Sequence, residues 1–232
     1  MVSLKEIHPI ALAEIKKKFS LNHVPLKHPF PERSIRALGL VKIDGDVFCS
    51  EKFSRVVLLR VNLPFYMAVR STFLRPRIEL DLPVFSSDIV ITGRKRLFIV
   101  DIHRTGESNR HDDSALFDRL IKIRERYPTL LEEQTTPGGE IQSVFSKAAC
   151  QVKITEEQDE EALGLFREYL EVFMEMVEKV TPLSGEALDQ ANQVYERYLK
   201  TIIDHDPGMR GYKLLFGKKG GIERSLNIHF EH

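Results

Sequence analysis

The sequence predicts an α/β protein built as a three-layer α/β/α sandwich, in which helices cover both faces of a central antiparallel sheet. Strand candidates joined by tight turns occupy the first two thirds of the chain and helical patterns follow them, an order typical of helices packed on an antiparallel sheet. Several strands are apolar on both faces, which indicates a helical layer on each side. The length of 232 residues suits one domain, residues 1–232.

The N-terminal part, residues 1–34, is predicted to be one helix followed by a proline-rich loop. Apolar residues recur near helical spacing over Leu4–Phe19, which favours an amphipathic helix. Pro25, Pro29 and Pro31 then oppose regular structure, because proline has no backbone N–H to donate.

The middle part, residues 38–154, is predicted to form most of the sheet. Asp44-Gly45 and Gly93-Arg94-Lys95 carry the residues of tight hairpin turns. The strand candidates are Val41–Ile43, Asp46–Cys49, Arg55–Asn62, Met67–Leu74, Asp88–Thr92, Arg96–Ile102 and Gln142–Ile154. One helix, Ser114–Tyr127, interrupts this series and ends before Pro128.

The C-terminal part, residues 155–232, is predicted to be mostly helical. Thr155 suits the N-cap position, and the acidic residues after it lie where a helix N-terminus favours negative charge. One apolar stripe runs from Leu163 to Val180, and a second follows over Ala187–Ile203.

The composition excludes several classes of protein. Lys and Arg number 34 and so do Asp and Glu, a balance that argues against nucleic-acid binding. No stretch reaches the roughly 18 apolar residues of a membrane span, and the N-terminus lacks the apolar region of a signal peptide. Cys49 and Cys150 are far apart in sequence and indicate reduced thiols. A cytoplasmic protein that does not bind membranes is therefore expected.

Charge is unevenly distributed along this neutral chain. Residues 1–104 contain 18 Lys and Arg against 10 Asp and Glu, whereas residues 105–232 contain 16 against 24. The molecule is bipolar if the two segments occupy different faces. Chance together with one acidic helix explains the same numbers.

Asp88 is the residue that best suits acid–base chemistry, because it stands in an otherwise apolar strand. If its side chain faces the interior, desolvation raises its pKa and makes it a proton donor near neutral pH; if it faces outward, it is an ordinary solvated carboxylate. Structural hydrogen bonds explain Asp101 and His103 better. Dinucleotide-binding, phosphate-loop and zinc-protease motifs are absent, and helix termination explains Asp204-His205-Asp206, so no metal site is expected.

Two groups of motifs carry a family resemblance. The first is Leu82-Pro83-x-Phe85-x-x-Asp88-Ile89-Val90 with its hairpin to Asp101, preceded by Phe53-Ser54-Arg55 and Pro76; the second is Asp206-Pro207…Arg210-Gly211-Tyr212…Phe216-Gly217, followed by a closing strand or tail at Ile228–Phe230. Together they resemble the ferredoxin-dependent bilin reductases. The resemblance implies the same α/β/α fold, with biliverdin IXα bound between the sheet and the C-terminal helices. It also implies reduction through radical intermediates by electrons from external reduced ferredoxin, without bound flavin, nicotinamide or metal.

The resemblance assigns roles to six residues. Asp88 and Asp206 correspond to acidic residues on opposite sides of the bilin, which implies that both donate protons. The substrate-binding positions are Ser71, Lys153, Arg210 and Phe85, with Lys153 and Arg210 as partners for the propionates. A lysine supplies charge there without the bidentate geometry of arginine.

Two positions depart from the phycocyanobilin-forming members of the family. Ser71 stands where those enzymes carry a histidine, and Leu59 where they carry a glutamate. The chain is therefore expected to be closer to members that form phycoerythrobilin or a related dihydro-bilin. Two alternatives stay open: a bilin carrier or chaperone without activity, and a reductase of another open-chain tetrapyrrole.

The basic N-terminal half suggests a docking face for acidic ferredoxin. Its candidate residues, near the edge of the sheet, are Arg33, Arg36, Lys42, Arg75, Arg77, Arg94, Lys95 and Arg96. Ordinary solvated hairpin tips are the alternative. A monomer is expected.

Overall fold

One antiparallel sheet forms the centre of the computed structural model, which describes residues 3–34, 37–63, 67–105, 113–136 and 138–230. Its strands are β1 (Asn22–His23), β2 (Glu32–Arg33), β3 (Lys42–Cys49), β4 (Phe53–Asn62), β5 (Met67–Pro76), β6 (Val84–Thr92), β7 (Lys95–His103) and β8 (Cys150–Thr155). The order across the sheet is β1-β3-β4-β5-β6-β7-β8, with β2 also paired to β3. Neighbours along the chain are thus neighbours in the sheet from β3 to β8.

Six α-helices lie in the described residues. They are α1 (Ile7–Lys18), α2 (Asp113–Arg124), α3 (Asp159–Lys179), α4 (Glu186–His205), α5 (Pro207–Phe216) and α6 (Lys218–His229). The predicted N-cap at Thr155 is confirmed: Thr155 and Gln158 form a capping box at the short 3₁₀ helix that leads into α3. None of the helices in the described ranges combines the length and apolar content needed to cross a bilayer.

The helices form a layer on each face of the sheet, which confirms the predicted sandwich. On one face, side chains of α1, α2 and α3 join Val56, Leu58, Phe85 and Phe98 in the larger hydrophobic core. We call this the closed face. On the other face, Tyr198, Ile202 and Tyr212 of the C-terminal helices pack on a second core. We call that the cleft face.

The prediction of a hairpin turn at Asp44-Gly45 is wrong. Lys42–Cys49 is one strand, because residues 42–48 pair with β4 without interruption. Gly45 is needed for close approach rather than for a turn: a Cβ built there would lie 2.6 Å from the Leu58 carbonyl oxygen. The second predicted hairpin is confirmed, and Gly93 adopts the positive φ of 58° that its turn requires.

Three further local predictions differ from the structure. The proline-rich loop contains the short strands β1 and β2, which use the free edge of β3. The last predicted strand shortens to Cys150–Thr155, because Glu140–Val144 forms a 3₁₀ helix. The expected closing strand or tail at Ile228–Phe230 belongs to the end of α6 and its C-cap.

Candidate active site

Strand register places Asp88 in a row of side chains that crosses the cleft face. Asp88 of β6 lies opposite Ser71 of β5 and Ile99 of β7. Directly opposed residues of antiparallel strands point to the same face. The row continues through Leu59 on one side and Gln151 on the other. Of the two positions that depart from the phycocyanobilin-forming pattern, Ser71 is therefore the direct neighbour of Asp88, and Leu59 lies two strands from Asp88 in the same row.

Burial dominates the acid–base properties of Asp88. Desolvation raises its pKa from the ordinary value to about 6, a hydrogen bond with the Ser71 side chain opposes this rise, and the negative charge of Asp206 adds to it. The side chain is nonetheless only half-buried. Asp88 thus has protein on most sides and an accessible space on the remaining one, as expected for a residue that lines a cleft.

Asp206 approaches from the helical layer on the cleft face. It ends α4 and is the N-cap of α5, and its Oδ1 accepts a 2.8 Å hydrogen bond from the Met209 backbone N–H. Pro207 suits the first helical position, because its missing N–H would have no partner there. Burial raises the pKa of Asp206, and hydrogen bonds from the Met209 and Gly208 backbones oppose the rise. The sheet and the helical layer thus each contribute one carboxyl group with a raised pKa.

Apolar side chains form an open floor next to Asp88. Val69, Val90 and Leu97 make the adjacent row across β5, β6 and β7, and Ile99 lies opposite Asp88. All four are half-buried, whereas Phe73, on the same face towards the C-terminal helices, is buried. The helical layer therefore covers only part of the cleft face. The uncovered part suits a flat apolar ligand that needs protons.

Two of the predicted substrate-binding residues, Lys153 and Arg210, are exposed. Lys153 of β8 lies opposite Leu97, in the same row as Val90 and two strands from Asp88. Arg210 lies in the first turn of α5, near Asp206, and its charge lowers the pKa of Asp206. Both cations therefore lie at the rim of the cleft.

Phe85 is not brought to this cleft. Its ring lies on the closed face, 5.7 Å from the ring of Phe166 and 5.6 Å from that of Phe173, and it is fully buried. The odd separation of Phe85 and Asp88 in one strand explains this, because side chains alternate between faces. A substrate-binding role for Phe85 is not retained.

A buried polar cluster borders the cleft, and sequence reasoning identified only half of it. Asp101 accepts hydrogen bonds from the Ser146 N–H at 2.8 Å and the Ser146 hydroxyl at 2.5 Å, in line with the structural role predicted for it. The Nδ1 of His103 lies 3.1 Å from the Tyr198 hydroxyl. Tyr198 and Ser146 were missed as polar partners because nothing in their local sequence distinguishes them from other residues of their segments.

Four of the residues predicted to dock ferredoxin are buried or already form ion pairs. Arg75 is buried and lies 4.2 Å above the Tyr195 ring, and Arg96 is buried in an ion pair with Asp159. Arg94 is exposed but forms ion pairs with two glutamates of the segment that precedes α3. Lys42 forms an ion pair with Asp44, and Arg36 lies outside the described residues.

Among the residues that the structure describes, no group of three or more His, Cys, Asp or Glu side chains is arranged to hold a metal ion.

The family profile and the related sequences that match this chain all point to the same family. The sequence profile of the ferredoxin-dependent bilin reductases matches residues 10–221. Phycoerythrobilin:ferredoxin oxidoreductase of Synechococcus sp. (strain WH8020) is 28% identical over 64% of this chain and 62% of its own length. The enzyme of the same name from Synechococcus sp. (strain RCC307) is 25% identical over 60% of this chain and 56% of its own length. That of Gloeobacter violaceus (strain ATCC 29082 / PCC 7421) is 23% identical over 82% of this chain and 81% of its own.

A solved structure shares the fold. Phytochromobilin synthase from tomato in complex with biliverdin superposes with a TM-score of 0.81 at 19% identity, over 97% of this chain and 80% of that one. Fold and site together define an α/β/α protein in which one carboxyl group of the sheet and one of the C-terminal helical layer, both with raised pKa, lie on the face of the sheet that carries half-buried apolar side chains. The profile match over most of the chain makes the identification specific: the protein belongs to the ferredoxin-dependent bilin reductase family.

Proposed function

We propose that the protein reduces a linear tetrapyrrole of the biliverdin IXα type with electrons from reduced ferredoxin, and that Asp88 and Asp206 donate the protons. The observation that carries this proposal is the pairing of two carboxyl groups with raised pKa, one from the sheet and one from the helical layer, beside an open apolar floor. Family membership and the names of the relatives support the class of substrate and the electron donor.

The chemistry requires such acids. Saturating one double bond of the pigment takes two electrons and two protons, and ferredoxin delivers electrons one at a time. Each electron makes the pigment more basic, so an acid beside it can transfer a proton as the charge develops. The pKa of Asp88 is about 6, close to neutral pH, so the side chain can both hold a proton and release it during the reaction. After each transfer, solvent reprotonates the aspartate.

Lys153 and Arg210 are assigned to the propionate groups of the pigment. Both are exposed cations at the rim of the cleft, where a propionate can stay hydrated while the apolar ring system lies on the floor. Arg210 offers two parallel N–H donors and Lys153 a single charged group, so Arg210 is expected to fix the orientation more strongly.

The expected product is phycoerythrobilin or a related dihydro-bilin. Ser71 lies next to Asp88 and Leu59 lies one strand beyond Ser71, at the positions where phycocyanobilin-forming members carry a histidine and a glutamate. Leucine cannot donate a proton, and a serine hydroxyl is far too weak an acid to replace histidine near pH 7. In this row Asp88 is therefore the one side chain that can donate a proton. This favours reduction away from the D-ring vinyl group.

Anaerobic turnover with product analysis tests the proposal. Biliverdin IXα is incubated with the protein, ferredoxin and a ferredoxin-reducing system, absorbance is followed, and the product is separated by chromatography. The expected result is loss of the long-wavelength band through radical intermediates and a product that co-elutes with phycoerythrobilin or a dihydrobiliverdin.

The same experiment separates the enzyme from a non-catalytic carrier. Ser71 and Leu59 are the features that favour a carrier, because they replace the histidine and the glutamate that phycocyanobilin-forming reductases carry at these positions. A carrier would shift the biliverdin spectrum on binding without consuming electrons, and that outcome would contradict the proposed activity. Turnover of a different open-chain tetrapyrrole, with biliverdin bound but unreduced, would correct the substrate only.

A further inference from the structure

Three leucines are strongly exposed at one corner of the molecule. Leu38, Leu40 and Leu214 have relative exposures of 85%, 55% and 75%. The segment that carries Leu38 and Leu40 is attached to α5, because the buried Ser34 hydroxyl donates a 2.6 Å hydrogen bond to the Leu215 carbonyl oxygen. Leu214 is the neighbour of that acceptor. The leucines therefore belong to adjoining segments.

The backbone holds one of these leucines in an unusual conformation. Leu38 has a positive φ of 52°, in the left-handed region that bulky side chains rarely adopt, and Gly39 follows with 72°. Hydrogen bonds fix this turn: the Gly39 N–H donates to the Ser34 carbonyl at 2.8 Å, and Arg33 donates to the Gly39 carbonyl at 2.9 Å. A strained conformation that presents an apolar side chain to solvent indicates a function for that side chain.

Exposed cations accompany the leucines. Arg33 belongs to the same turn, and Lys218 and Lys219 open α6 directly after α5. None of the three forms an ion pair with any residue in the described ranges. The nearby acidic side chains are already paired, Glu32 with Arg224 and Glu223 with Lys27. The corner thus combines uncompensated positive charge with exposed apolar area.

We infer that this corner, made of Arg33, Leu38, Leu40, Leu214, Lys218 and Lys219, is where the acidic electron donor docks. We call it the leucine–lysine corner. An acidic protein complements its charge, and the leucines supply the apolar contacts that stabilise an encounter once electrostatic steering has formed it. The inference rests on the proposed function, because it takes ferredoxin as the donor.

The position of the corner suits electron transfer to the cleft. Leu214 lies eight residues after Asp206 on the same helix, which corresponds to about 12 Å along the helix axis. A protein seated on Leu214 therefore contacts the helix whose first turn borders the pigment site. The β6–β7 turn is a poorer candidate, because Arg94 there is already neutralised by glutamates.

Calorimetric titration of the protein with a plant-type [2Fe–2S] ferredoxin, in low-salt buffer, tests the inference without requiring turnover. Lys218→Glu/Lys219→Glu and Leu214→Ser are compared with Lys95→Glu/Lys122→Glu, which changes two exposed lysines elsewhere by the same charge. Lys218→Glu/Lys219→Glu should weaken ferredoxin binding about tenfold or more, because it places like charges opposite an acidic partner. Leu214→Ser should weaken binding about threefold or more, because it removes an apolar contact. The control should bind like the unmodified protein.

A second measurement separates docking from chemistry. Reduction of pre-bound biliverdin by a small chemical reductant should be unchanged in the corner variants, because their side chains lie outside the cleft. Failure of the unmodified protein to reduce biliverdin with either donor would contradict the proposed function while leaving the titration valid.

Several outcomes would overturn the docking site. These are no ferredoxin binding by the unmodified protein, equal loss in corner and control variants, or weaker binding in the control alone. Binding of the unmodified protein to anionic phosphatidylglycerol vesicles through Leu214, or concentration-dependent dimerisation abolished by Leu214→Ser, would assign the corner to a membrane surface or to a second copy instead.

Discussion

The two faces of the central sheet differ in how completely the helices cover them. On the closed face, the strands pack against α1, α2 and α3, and side chains such as Phe85, Phe98 and Val100 are fully buried. On the cleft face, the same strands present Asp88 and half-buried apolar residues. One set of strands therefore serves two purposes, because alternate residues of a strand belong to different environments. Stability should depend mainly on one face and chemistry on the other.

Truncation of a core residue on the closed face should give the largest change in stability. Phe85→Ala removes a fully buried ring between Phe166 and Phe173 and should lower the free energy of unfolding by about 3–5 kcal/mol. Val90 lies in the same strand but on the cleft face. Val90→Ala should lower the free energy of unfolding by about 1 kcal/mol or less, because Val90 is half-buried. Urea denaturation measures both. Equal losses would contradict the division between the faces.

Removal of the acid on the cleft face should affect turnover instead. Asp88→Asn keeps the size of the side chain but cannot donate a proton, so the reaction should stall after the first electron and the rate of product formation should fall by about a hundredfold or more. Stopped-flow absorbance and electron paramagnetic resonance should show a persistent bilin radical, while biliverdin still binds. Asp118→Asn, at an exposed ion pair with Lys147, is the matched control. Unchanged turnover of Asp88→Asn would remove Asp88 from the mechanism.

The pH dependence of stability gives an independent view of Asp88. Its pKa is about 6 in the folded protein against 3.8 ordinarily, so unfolding releases a proton between about pH 4 and 6, and ionisation of this group lowers stability as the pH rises through that window. Asp101 acts in the same direction. Burial lowers the pKa of His8, His103 and His229 to about 4, so these three raise stability as the pH rises from about 4 to 6.5.

A difference measurement isolates Asp88 from these opposing groups. The stability of Asp88→Asn relative to the unmodified protein should increase from pH 4 to pH 6, by on the order of 2 kcal/mol, and stay constant above that range. Denaturation at a series of pH values measures it. A relative stability that does not change with pH would mean that Asp88 has an ordinary pKa in the folded protein.

The smallest expected effect concerns the Ser71 hydroxyl, which lies opposite Asp88 and lowers its pKa. Ser71→Ala removes a polar group that favours the carboxylate, with an effect of about 0.5–1.5 kcal/mol, so the pKa of Asp88 should rise and the alkaline limb of the turnover profile should move to higher pH. Thr72→Val is the control: Thr72 points to the closed face, and its buried hydroxyl has no hydrogen-bond partner among the described residues. A profile displaced equally by both variants would show that the shift does not come from the Ser71 hydroxyl.

The sequence alone determined the order of elements from β4 to α4, the sandwich fold and the two candidate acids. The sequence was also sufficient to predict that Phe85 does not face the same side of the sheet as Asp88, because a separation of three residues in a strand puts the two side chains on opposite faces. The error at Asp44-Gly45 has a different origin. A turn dipeptide specifies local backbone freedom, whereas pairing along β4 decided that this glycine stays in a strand.

Only the tertiary structure decided how the candidate residues combine. The sequence could not tell which face of the sheet is left partly open, because both sets of alternating residues are largely apolar. Nor could it tell that Arg75 and Arg96 are buried while Lys218 and Lys219 are exposed, because a cation's environment depends on neighbours distant in the chain. The electrostatic effect of Asp206 on Asp88 has the same basis: strand register fixes one carboxyl group, the junction between α4 and α5 fixes the other, and helix packing on the sheet brings them together.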